Sequence, residues 1–455
     1  MRSDWKECKL GDIVSFSQGL QVSVESQFLE KDDGLSRFVR IIDFTNDTEP
    51  PRYIKTPDKK QFVDVDDIVM IRYGSQTAGK VVRGKSGFIA NNMFKVAIKV
   101  NFIDKNYLFH YLSSKTIYDF LRYTQSSSTM PAITFGMLKP ILIRYPSLRS
   151  QNIIAKVAND ISIKIELNRQ INQTLEAMAQ ALFKSWFVDF DPVKAKLAAK
   201  AAGADDEGVT LAAMEALSGQ NAEALRKLAH TEPERYAELK ATAELFPEAL
   251  VESELGEIPA GWEVGQIGKQ VKCMGGGTPP TKNTEFWEDG HIYWTTPKDL
   301  SGNSNKILLD TSRKITEAGL NKISSGLLPV NTVLMSSRAP VGYLALAKVP
   351  LAINQGYIAM ICDQNLSSEY VIQWAEANMD EVKQRAEGTT FSEISKKNFR
   401  EILVLVPSTQ VIKSYSDLVK AYYDQITSLV QECNSLTELR DTLLPKLLSG
   451  EISVD

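Results

Sequence analysis

The chain has 455 residues, of which 43% are hydrophobic and 24% charged, and its formal net charge is -4. This length exceeds what one hydrophobic core supports, so about three domains are expected in a soluble globular protein. No run of about eighteen apolar residues predicts a membrane span, and the N-terminus lacks a signal-peptide core, so we expect a cytoplasmic location. The four scattered cysteines form no CxxC pair, and no metal site is expected.

The charge is unevenly distributed along the chain. Residues 1–150 contain 22 Lys and Arg against 16 Asp and Glu, whereas residues 196–257 contain 6 against 13. A mildly basic body with an acidic appendage permits nucleic-acid binding without requiring it.

Four blocks of sequence occur twice, about 260 residues apart. In chain order the pairs are Trp5–Ile13 with Gly261–Gly268, Asp67–Gly74 with Asn331–Arg338, Gly87–Phe94 with Pro350–Tyr357, and the two runs Ser128–Thr134 and Ile141–Ser147 with Thr389–Ser395 and Ile402–Ser408. Most of these blocks have the composition of short strands that end at turns. The repetition therefore predicts two globules built on one plan.

Residues 150–187 and 409–448 are each predicted to form one long helix, because apolar residues recur every three or four positions along one face. The first face comprises Ile154, Val157, Ile161, Ile165, Asn168, Ile171, Leu175, Met178, Leu182 and Trp186. The second comprises Val411, Tyr415, Leu418, Tyr422, Ile426, Leu429, Cys433, Leu436, Leu439 and Leu443. We expect the two helices to pack on each other as an antiparallel coiled coil; the alternative is that each lies on its own globule.

The predicted fold class is α+β, with two α/β globules in a pseudo-twofold arrangement joined by the two long helices. The predicted segments are a globule at 1–147, a helix at 148–195, an acidic Ala- and Glu-rich helical insert at 196–255, a globule at 256–407 and a helix at 408–455. Within the insert, Thr231–Glu234 has the pattern of a capping box that opens a short helix. No chemistry is assigned to the insert.

Candidate catalytic motifs fail on inspection. Gly74–Lys80 fits the GxxxxGK pattern of a phosphate-binding loop, but Val81 stands where a magnesium-binding Ser or Thr is needed. A β-rich stretch follows it, and not the helix whose N-terminus would face the phosphates. Asp189–Val193 only faintly resembles the Asp-Pro-Pro-aromatic loop of amino-methyltransferases. No histidine completes a nucleophile set, so no catalytic residue and no cofactor is assigned, and an enzyme acting alone is not expected.

Polar side chains instead occupy loops between strands, at matching places in the two halves. Arg suits guanine, Asn and Gln suit adenine, and hydroxyls suit phosphates. For any single residue an ordinary turn or cap role is the alternative; the symmetric placement supports the set. The candidate DNA-binding residues are Arg72, Tyr73, Ser75, Gln76, Asn91, Asn92, Ser127, Thr129, Thr278, Lys298, Ser337, Arg338, Asn354, Gln355, Thr389 and Thr390.

The chain resembles the specificity subunit of type I restriction-modification enzymes over nearly its whole length. The most specific marks are Leu444–Ile452 near the end and Ala181–Phe190 in the middle, supported by Gly256–Trp262. Gly276–Pro279 followed by Trp294 is similar to a common variety of target-recognition domain.

The resemblance implies that the two globules are target-recognition domains, each reading half of a split double-stranded DNA sequence. The long helices would space them and bind two methyltransferase (M) subunits, through which the restriction (R) subunits join. S-adenosylmethionine would belong to the M subunits. Phe183, Trp186, Phe187, Leu444 and Leu447 are the candidate partner contacts, with packing against a globule as the alternative for the aromatic group.

Two other functions stay open at this point. A coiled-coil adaptor whose globules bind protein agrees with the modest charge of the globules. A self-contained modification enzyme would need a cofactor motif, and none is recognised in the sequence.

Overall fold

The structure is a computed structural model, and it describes residues 5–46, 49–57, 61–124, 132–303, 305–388 and 392–454. The chain forms two compact units, one comprising Met1–Glu166 with Asn434–Asp455 and the other Leu167–Cys433. We call them unit 1 and unit 2. The compact units do not follow the five predicted segments, because each contains a globule and a part of both long helices.

Ten strands and four short helices make up the described part of the unit 1 globule. The strands are β1 Lys6–Lys9, β2 Val14–Gln18, β3 Leu35–Val39, β4 Arg52–Lys55, β5 Phe62–Val63, β6 Ile68–Ile71, β7 Val81–Val82, β8 Gly87–Ile89, β9 Met93–Ile98 and β10 Leu142–Tyr145. The helices are α1 Leu10–Ile13, α2 Lys105–Ser113, α3 Lys115–Tyr123 and α4 Phe135–Leu138. The sheet orders are β2-β9-β6-β7 and β4-β3-β8-β5, and β1 pairs with β10.

The first long helix is α5 Leu148–Phe187, and four further helices follow it: α6 Asp191–Ala201, α7 Asp206–Ser218, α8 Ala222–Thr231 and α9 Pro233–Glu244. The insert has its own small core, formed by Ala213, Met214, Leu225, Leu228 and Ala243. The predicted capping box is wrong, because α8 continues through Thr231 and Glu232 begins the next helix without a side-chain cap.

The globule of unit 2 repeats the plan. Its strands, with the preceding hairpin, are β11 Leu250–Ser253, β12 Gly256–Pro259, β13 Glu263–Gln266, β14 Lys272–Met274, β15 Ile292–Thr295, β16 Ile307–Leu308, β17 Arg313–Ile315, β18 Val333–Ser336, β19 Leu344–Ala347, β20 Leu351–Ile353, β21 Tyr357–Ile361 and β22 Leu403–Val406. The helices are α10 Ile267–Gln270, α11 Glu317–Leu320, α12 Ser368–Ala377, α13 Met379–Gln384, α14 Lys396–Arg400 and the long α15 Thr409–Ser449. The sheet orders are β14-β21-β18-β19-β16 and β17-β15-β20, and β13 pairs with β22.

The two globules share strand directions as well as order. In unit 1 β3 runs parallel to β8 and antiparallel to β4; in unit 2 β15 runs parallel to β20 and antiparallel to β17. One buried tyrosine makes the same bond in each unit. Tyr107 donates to the Arg144 carbonyl at 2.6 Å, and Tyr370 donates to the Leu405 carbonyl at 2.8 Å. The predicted α+β class with duplicated globules is thereby confirmed.

The long helices run antiparallel within each unit. In unit 1, Ile154 at the start of α5 clusters with Leu447 at the end of α15. In unit 2, Phe183 at the end of α5 packs its ring 6.2 Å from that of Tyr415, near the start of α15. Pairing with each other, and not only with a globule, buries the apolar face that each helix carries.

Three residues of the predicted apolar faces are exposed: Met178, Leu418 and Leu439, the last at 50%. Met178 and Leu418 are 43% and 40% exposed, whereas the neighbouring Ala179 and Val419 are fully buried. The buried face of α5 in unit 2 also includes the polar Asn172 and Glu176. Periodicity in apolar residues alone could not find this face, because polar side chains occupy part of it.

None of the helices in the described part of the chain combines the length and apolar character that crossing a bilayer takes.

Candidate nucleic-acid interface

Loops from four strands meet at one edge of the unit 2 globule. Since β15 and β20 are parallel, their carboxyl ends lie side by side, and the backbone of Asn354 donates to the Thr295 carbonyl at 3.0 Å. The segment after β18 joins them through Ser337, whose N–H donates to the Gly356 carbonyl at 2.8 Å. The segment after β14 joins through Thr278, whose hydroxyl lies 2.8 Å from Gln355 Oε1. We call this set of loops the unit 2 edge.

Tight packing holds the segment after β14 in place. A side chain on Gly276 would have its Cβ 1.8 Å from the Ile353 carbonyl oxygen, so only glycine fits there. The indole N–H of Trp294 donates to the Gly277 carbonyl at 3.1 Å. This glycine run is therefore a packing device that fixes Thr278 at the edge.

The unit 1 globule forms the equivalent edge. The parallel strands β3 and β8 end there, and Arg72 N–H donates to the Asn92 carbonyl at 2.8 Å. Gln18 at the end of β2 donates through Nε2 to the Asn91 carbonyl at 3.1 Å. Gly19 is confined like Gly276, since a Cβ on it would lie 2.2 Å from the carbonyl oxygen of Ala90, the residue that follows β8. We call these loops the unit 1 edge.

The hydrogen bonds shift the sequence correspondence by one residue. Ile133 donates to the Arg72 carbonyl at 2.9 Å, and Ile394 donates to the Ser337 carbonyl at 3.0 Å. Arg72 is therefore the counterpart of Ser337, and Tyr73 is the counterpart of Arg338. The sequence predicts Arg72 and Arg338 in equivalent loops, and the structure agrees. The two arginines are one position apart within those loops.

The candidate side chains differ in how far they reach solvent. Exposed are Ser75, Gln76, Thr278, Lys298 and Gln355; half-buried are Arg72, Tyr73, Asn91, Asn92, Arg338 and Asn354. Ser337 is only 3% exposed, so its assignment as a DNA contact is corrected: its backbone ties loops together and its side chain faces inward. Ser127, Thr129, Thr389 and Thr390 lie outside the described residues.

The two arginines predicted to read bases have different surroundings. The Arg72 guanidinium lies 4.9 Å from the centre of the Tyr73 ring. Arg338 lies 3.7 Å from the carboxylate of Glu393, and the two side chains are 37% and 48% exposed. Such an exposed pair contributes little to stability, so Arg338 can exchange Glu393 for another anion at small cost.

An aspartate organises the first turn after the parallel strand in each globule, which the sequence patterns did not indicate. Asp43 accepts from the Arg40 N–H at 2.6 Å, and Asp299 accepts from the Thr296 N–H at 2.7 Å. Burial alone would raise the pKa of Asp299, but hydrogen bonds from Ser312 and Thr296 outweigh it and lower the pKa. The carboxylate thus stays ionised and holds Lys298 in a fixed turn at the edge.

The GxxxxGK segment forms a turn that leads into a strand. Gly79 N–H donates to the Ile71 carbonyl at 2.9 Å, and the strand β7 follows directly at Val81. The loop does not lead into a helix, as a phosphate-binding loop would, and the nucleotide-binding interpretation is set aside. Within the described residues, no group of three or more His, Cys, Asp and Glu side chains is arranged to hold a metal ion.

Four of the five candidate partner contacts are buried inside the chain, and their assignment is corrected. Phe183, Trp186 and Phe187 are 3–5% exposed and pack in the unit 2 core, where Phe187 lies 4.9 Å from the Tyr370 ring. Leu447 is 4% exposed in the unit 1 core, and Leu444 is half-buried beside it. The aromatic cluster thus joins helix to globule, as the alternative in the sequence analysis had it.

A groove in unit 2 offers apolar surface that the fold leaves open. It has a volume of about 1230 Å³ and lies between α5, α15 and the insert helices α7 and α9. Met178 and Leu418, two of the predicted seam residues that are exposed, line it. Apolar side chains that point into an open groove suit a protein contact.

Comparisons with known proteins agree on one family. The family described as type I restriction modification DNA specificity domain matches residues 2–177 and 259–438, one match in each half of the chain. The chain is 32% identical over 464 residues to the type I restriction enzyme HindI specificity subunit of Haemophilus influenzae, covering 99% of this chain and all of the relative.

Two more distant relatives add to this. The MjaIX specificity subunit of Methanocaldococcus jannaschii is 33% identical over 189 residues, covering 41% of this chain and 43% of the relative. The crystal structure of a type I restriction-modification system S subunit from M. genitalium superposes with a TM-score of 0.55 at 15% identity, covering 97% of this chain and 96% of the other. At that identity the superposition supports the fold alone.

Proposed function

The chain belongs to the type I restriction-modification DNA specificity family, and from that premise we propose that it reads a split double-stranded DNA target, one half with each globule. The prediction that it is a specificity subunit, and not a catalytic one, is confirmed by its relatives. What each globule recognises, and what the chain assembles with, belong to the proposal.

The duplicated edge is the observation that carries the proposal. Each globule collects loops from parallel and antiparallel strands at one edge, and each edge presents side chains able to donate to and accept from base edges. The polar residues at the two edges differ. Gln76 of unit 1 and Gln355 of unit 2, for example, do not occupy equivalent positions. Two edges of one design with different chemistry suit two different half-sites.

The long helices are the proposed spacer. Helices α5 and α15 are 40 and 41 residues long and lack an internal break apart from Pro445 near the end of α15. A stiff helix pair would set how many base pairs separate the half-sites without contacting them.

The unit 2 groove is the proposed docking place for one methyltransferase subunit. It replaces the buried aromatic cluster in that role, because Met178 and Leu418 remain exposed in the folded chain. A second methyltransferase subunit and, through the complex, restriction subunits complete the proposed assembly. The adaptor alternative has no observation in its favour beyond the long helices, whereas the family match covers both globules.

Methylome sequencing of cells with and without this gene tests the proposal. Deletion should abolish methylation at one split adenine-containing motif, and restoring the full-length gene should return it. A control that restores the gene without residues 256–407 should not recover that motif. If deletion removes no motif, or removes one that is continuous, the proposal fails.

A further inference from the structure

One arginine occupies the same register position in each globule. In unit 1, Arg52 on β4 pairs with Phe38 on β3; in unit 2, Arg313 on β17 pairs with Trp294 on β15. Phe38 and Trp294 are counterparts, because each is the second-last residue of its strand. Phe38 is on β3, which runs parallel to β8, and Trp294 is on β15, which runs parallel to β20. Both arginines begin the strand next to the turn organised by Asp43 or Asp299.

Arg313 is held by aromatic rings. Its guanidinium lies 3.5 Å from the centre of the Trp287 ring and 5.7 Å from that of Trp294. Stacking of this kind fixes the plane of a guanidinium while leaving its N–H groups free to donate. The side chain is exposed, so its donors face solvent at the unit 2 edge.

Neither arginine is neutralised within the described residues. No hydrogen bond or ion pair there engages the Arg313 guanidinium, and Arg52 has a buried Nε without a partner. The nearby Arg37 and Arg40 differ, because both are paired with Asp43. For Arg52, which is half-buried, the lack of a counter-charge costs desolvation energy that an external anion would offset. The exposed Arg313 keeps its donors available to an anion from solvent.

Both arginines lie at the edges already described. Ser312, the neighbour of Arg313, donates through its N–H to Asp299 at 3.0 Å, which places it beside the turn that carries Lys298. In unit 1, Arg52 begins the strand opposite the end of β3, where the turn of Arg40 and Asp43 starts. Each arginine is on the outermost strand, so it flanks the polar loops and does not sit among them.

We infer that Arg52 and Arg313 are phosphate contacts that seat each globule on its DNA half-site. The inference rests on the proposed function. The loops that differ between the globules are suited to reading different base sequences. A feature that both globules share is suited to what both half-sites share, which is the sugar-phosphate backbone. A planar guanidinium donates two N–H groups to one phosphate.

The test uses the purified full-length chain and a DNA duplex containing the methylated motif, with affinity measured across a salt series. Arg52→Gln and Arg313→Gln should each weaken binding roughly three- to tenfold on cognate and unrelated duplexes alike. Each should reduce the slope of log affinity against log salt by about one. Arg313→Lys, which keeps the charge, should restore the slope.

A matched variant controls for loss of charge alone. Arg235→Gln removes an exposed arginine of the insert in the same unit and should leave affinity and slope unchanged. Equal effects of Arg235→Gln and Arg313→Gln would overturn the inference, as would an unchanged slope in both edge variants. A relaxed base preference at one position of the motif would also overturn it, by making the arginine a base reader. If the wild-type chain shows no split motif, the proposed function fails; if it does and these variants bind normally, only this inference fails.

Discussion

Lys306 donates a hydrogen bond to Oε1 of Glu176 at 2.7 Å, and the two side chains are only 13% and 11% exposed in unit 2. Gln373 donates to the same oxygen at 3.0 Å. The pair ties the long helix α5 to the loop that precedes β16. Polar groups therefore take part in the contact between α5 and the globule of unit 2.

Lys306→Met should lower the free energy of unfolding by about 3 kcal/mol, because it leaves the Glu176 carboxylate buried with its main counter-charge removed. Urea denaturation measures this. The double variant Glu176→Leu with Lys306→Met should lose less than the single one, since no buried charge remains. Lys200→Met, which breaks an exposed pair with Glu248, should change stability far less. Equal losses in the single and double variants would argue against a buried charge pair.

Burial of His110 should make the stability of unit 1 depend on pH. Burial lowers the pKa of His110 and the charges of Arg83 and Arg440 add to this, against the hydrogen bond with Asn159. The unfolded chain then binds a proton that the folded chain does not, so stability falls as pH drops below the ordinary histidine value of 6.5.

Replacing His110 should remove that dependence. The counterpart of His110 in unit 2 is Gln373, and His110→Gln retains an N–H donor for Asn159. The wild type should lose up to about 1.4 kcal/mol per pH unit in the window below 6.5, and the variant should lose less. Denaturation curves between pH 7 and pH 5 measure this; identical slopes would contradict it.

Lengthening both helices should widen the gap in the DNA target. Asn168 on α5 donates to Glu432 on α15 at 2.8 Å, so these positions mark one level of the pair. Seven residues inserted at both positions add about 10 Å to each helix, roughly three base pairs of DNA. Methylome sequencing should show the same half-sites with a longer gap. An unaltered gap in an active variant would show that the helices are not the ruler.

Charge placed in the unit 2 groove should weaken methyltransferase binding. Met178→Glu and Leu418→Glu introduce carboxylates where apolar surface would be covered, at a cost of roughly 2 kcal/mol each. Leu255→Glu alters an equally exposed leucine outside the groove and serves as the control. Co-purification with the methyltransferase subunit gives the result. A complex that survives both groove variants would place docking elsewhere.

Arg72→Ala and Arg338→Ala should each weaken recognition of one half-site. A bidentate contact to a base contributes roughly 1–3 kcal/mol of discrimination. Duplexes that carry substitutions in only one half-site, tested at low salt, separate the two effects. Unchanged affinity in both variants would remove these residues from the interface.

The duplication and the long helices were predictable because they are written in local patterns: a repeated strand composition and an apolar residue every three or four positions. Their registers were not. Arg72 matches Ser337 only because each forms a backbone hydrogen bond with a loop 61 residues later in unit 1 and 57 residues later in unit 2, a relation that no local pattern carries. Arg52 and Arg313 were missed for the same reason, since only strand pairing makes them equivalent.

Burial also decided which candidates survived. Ser337, Phe183 and Trp186 have the side chains that suit contact with DNA or protein, but the fold turns them inward. Met178 was placed in the helix seam by its spacing, whereas Asn172 and Glu176 occupy the buried face instead. A side chain's chemistry was readable from the sequence, but its direction depended on partners far along the chain.

Each globule begins and ends on the same pair of strands. β1 pairs with β10 and β13 with β22, and the first residue after each entry strand closes the pair, Leu10 to Ile141 at 2.8 Å and Ile267 to Ile402 at 2.9 Å. The chain therefore enters and leaves each globule through two paired strands, and the pairing is the same in both globules. Everything between those positions is a cassette. A segment exchanged between those positions would leave the strand pair and the long helix that follows it unchanged.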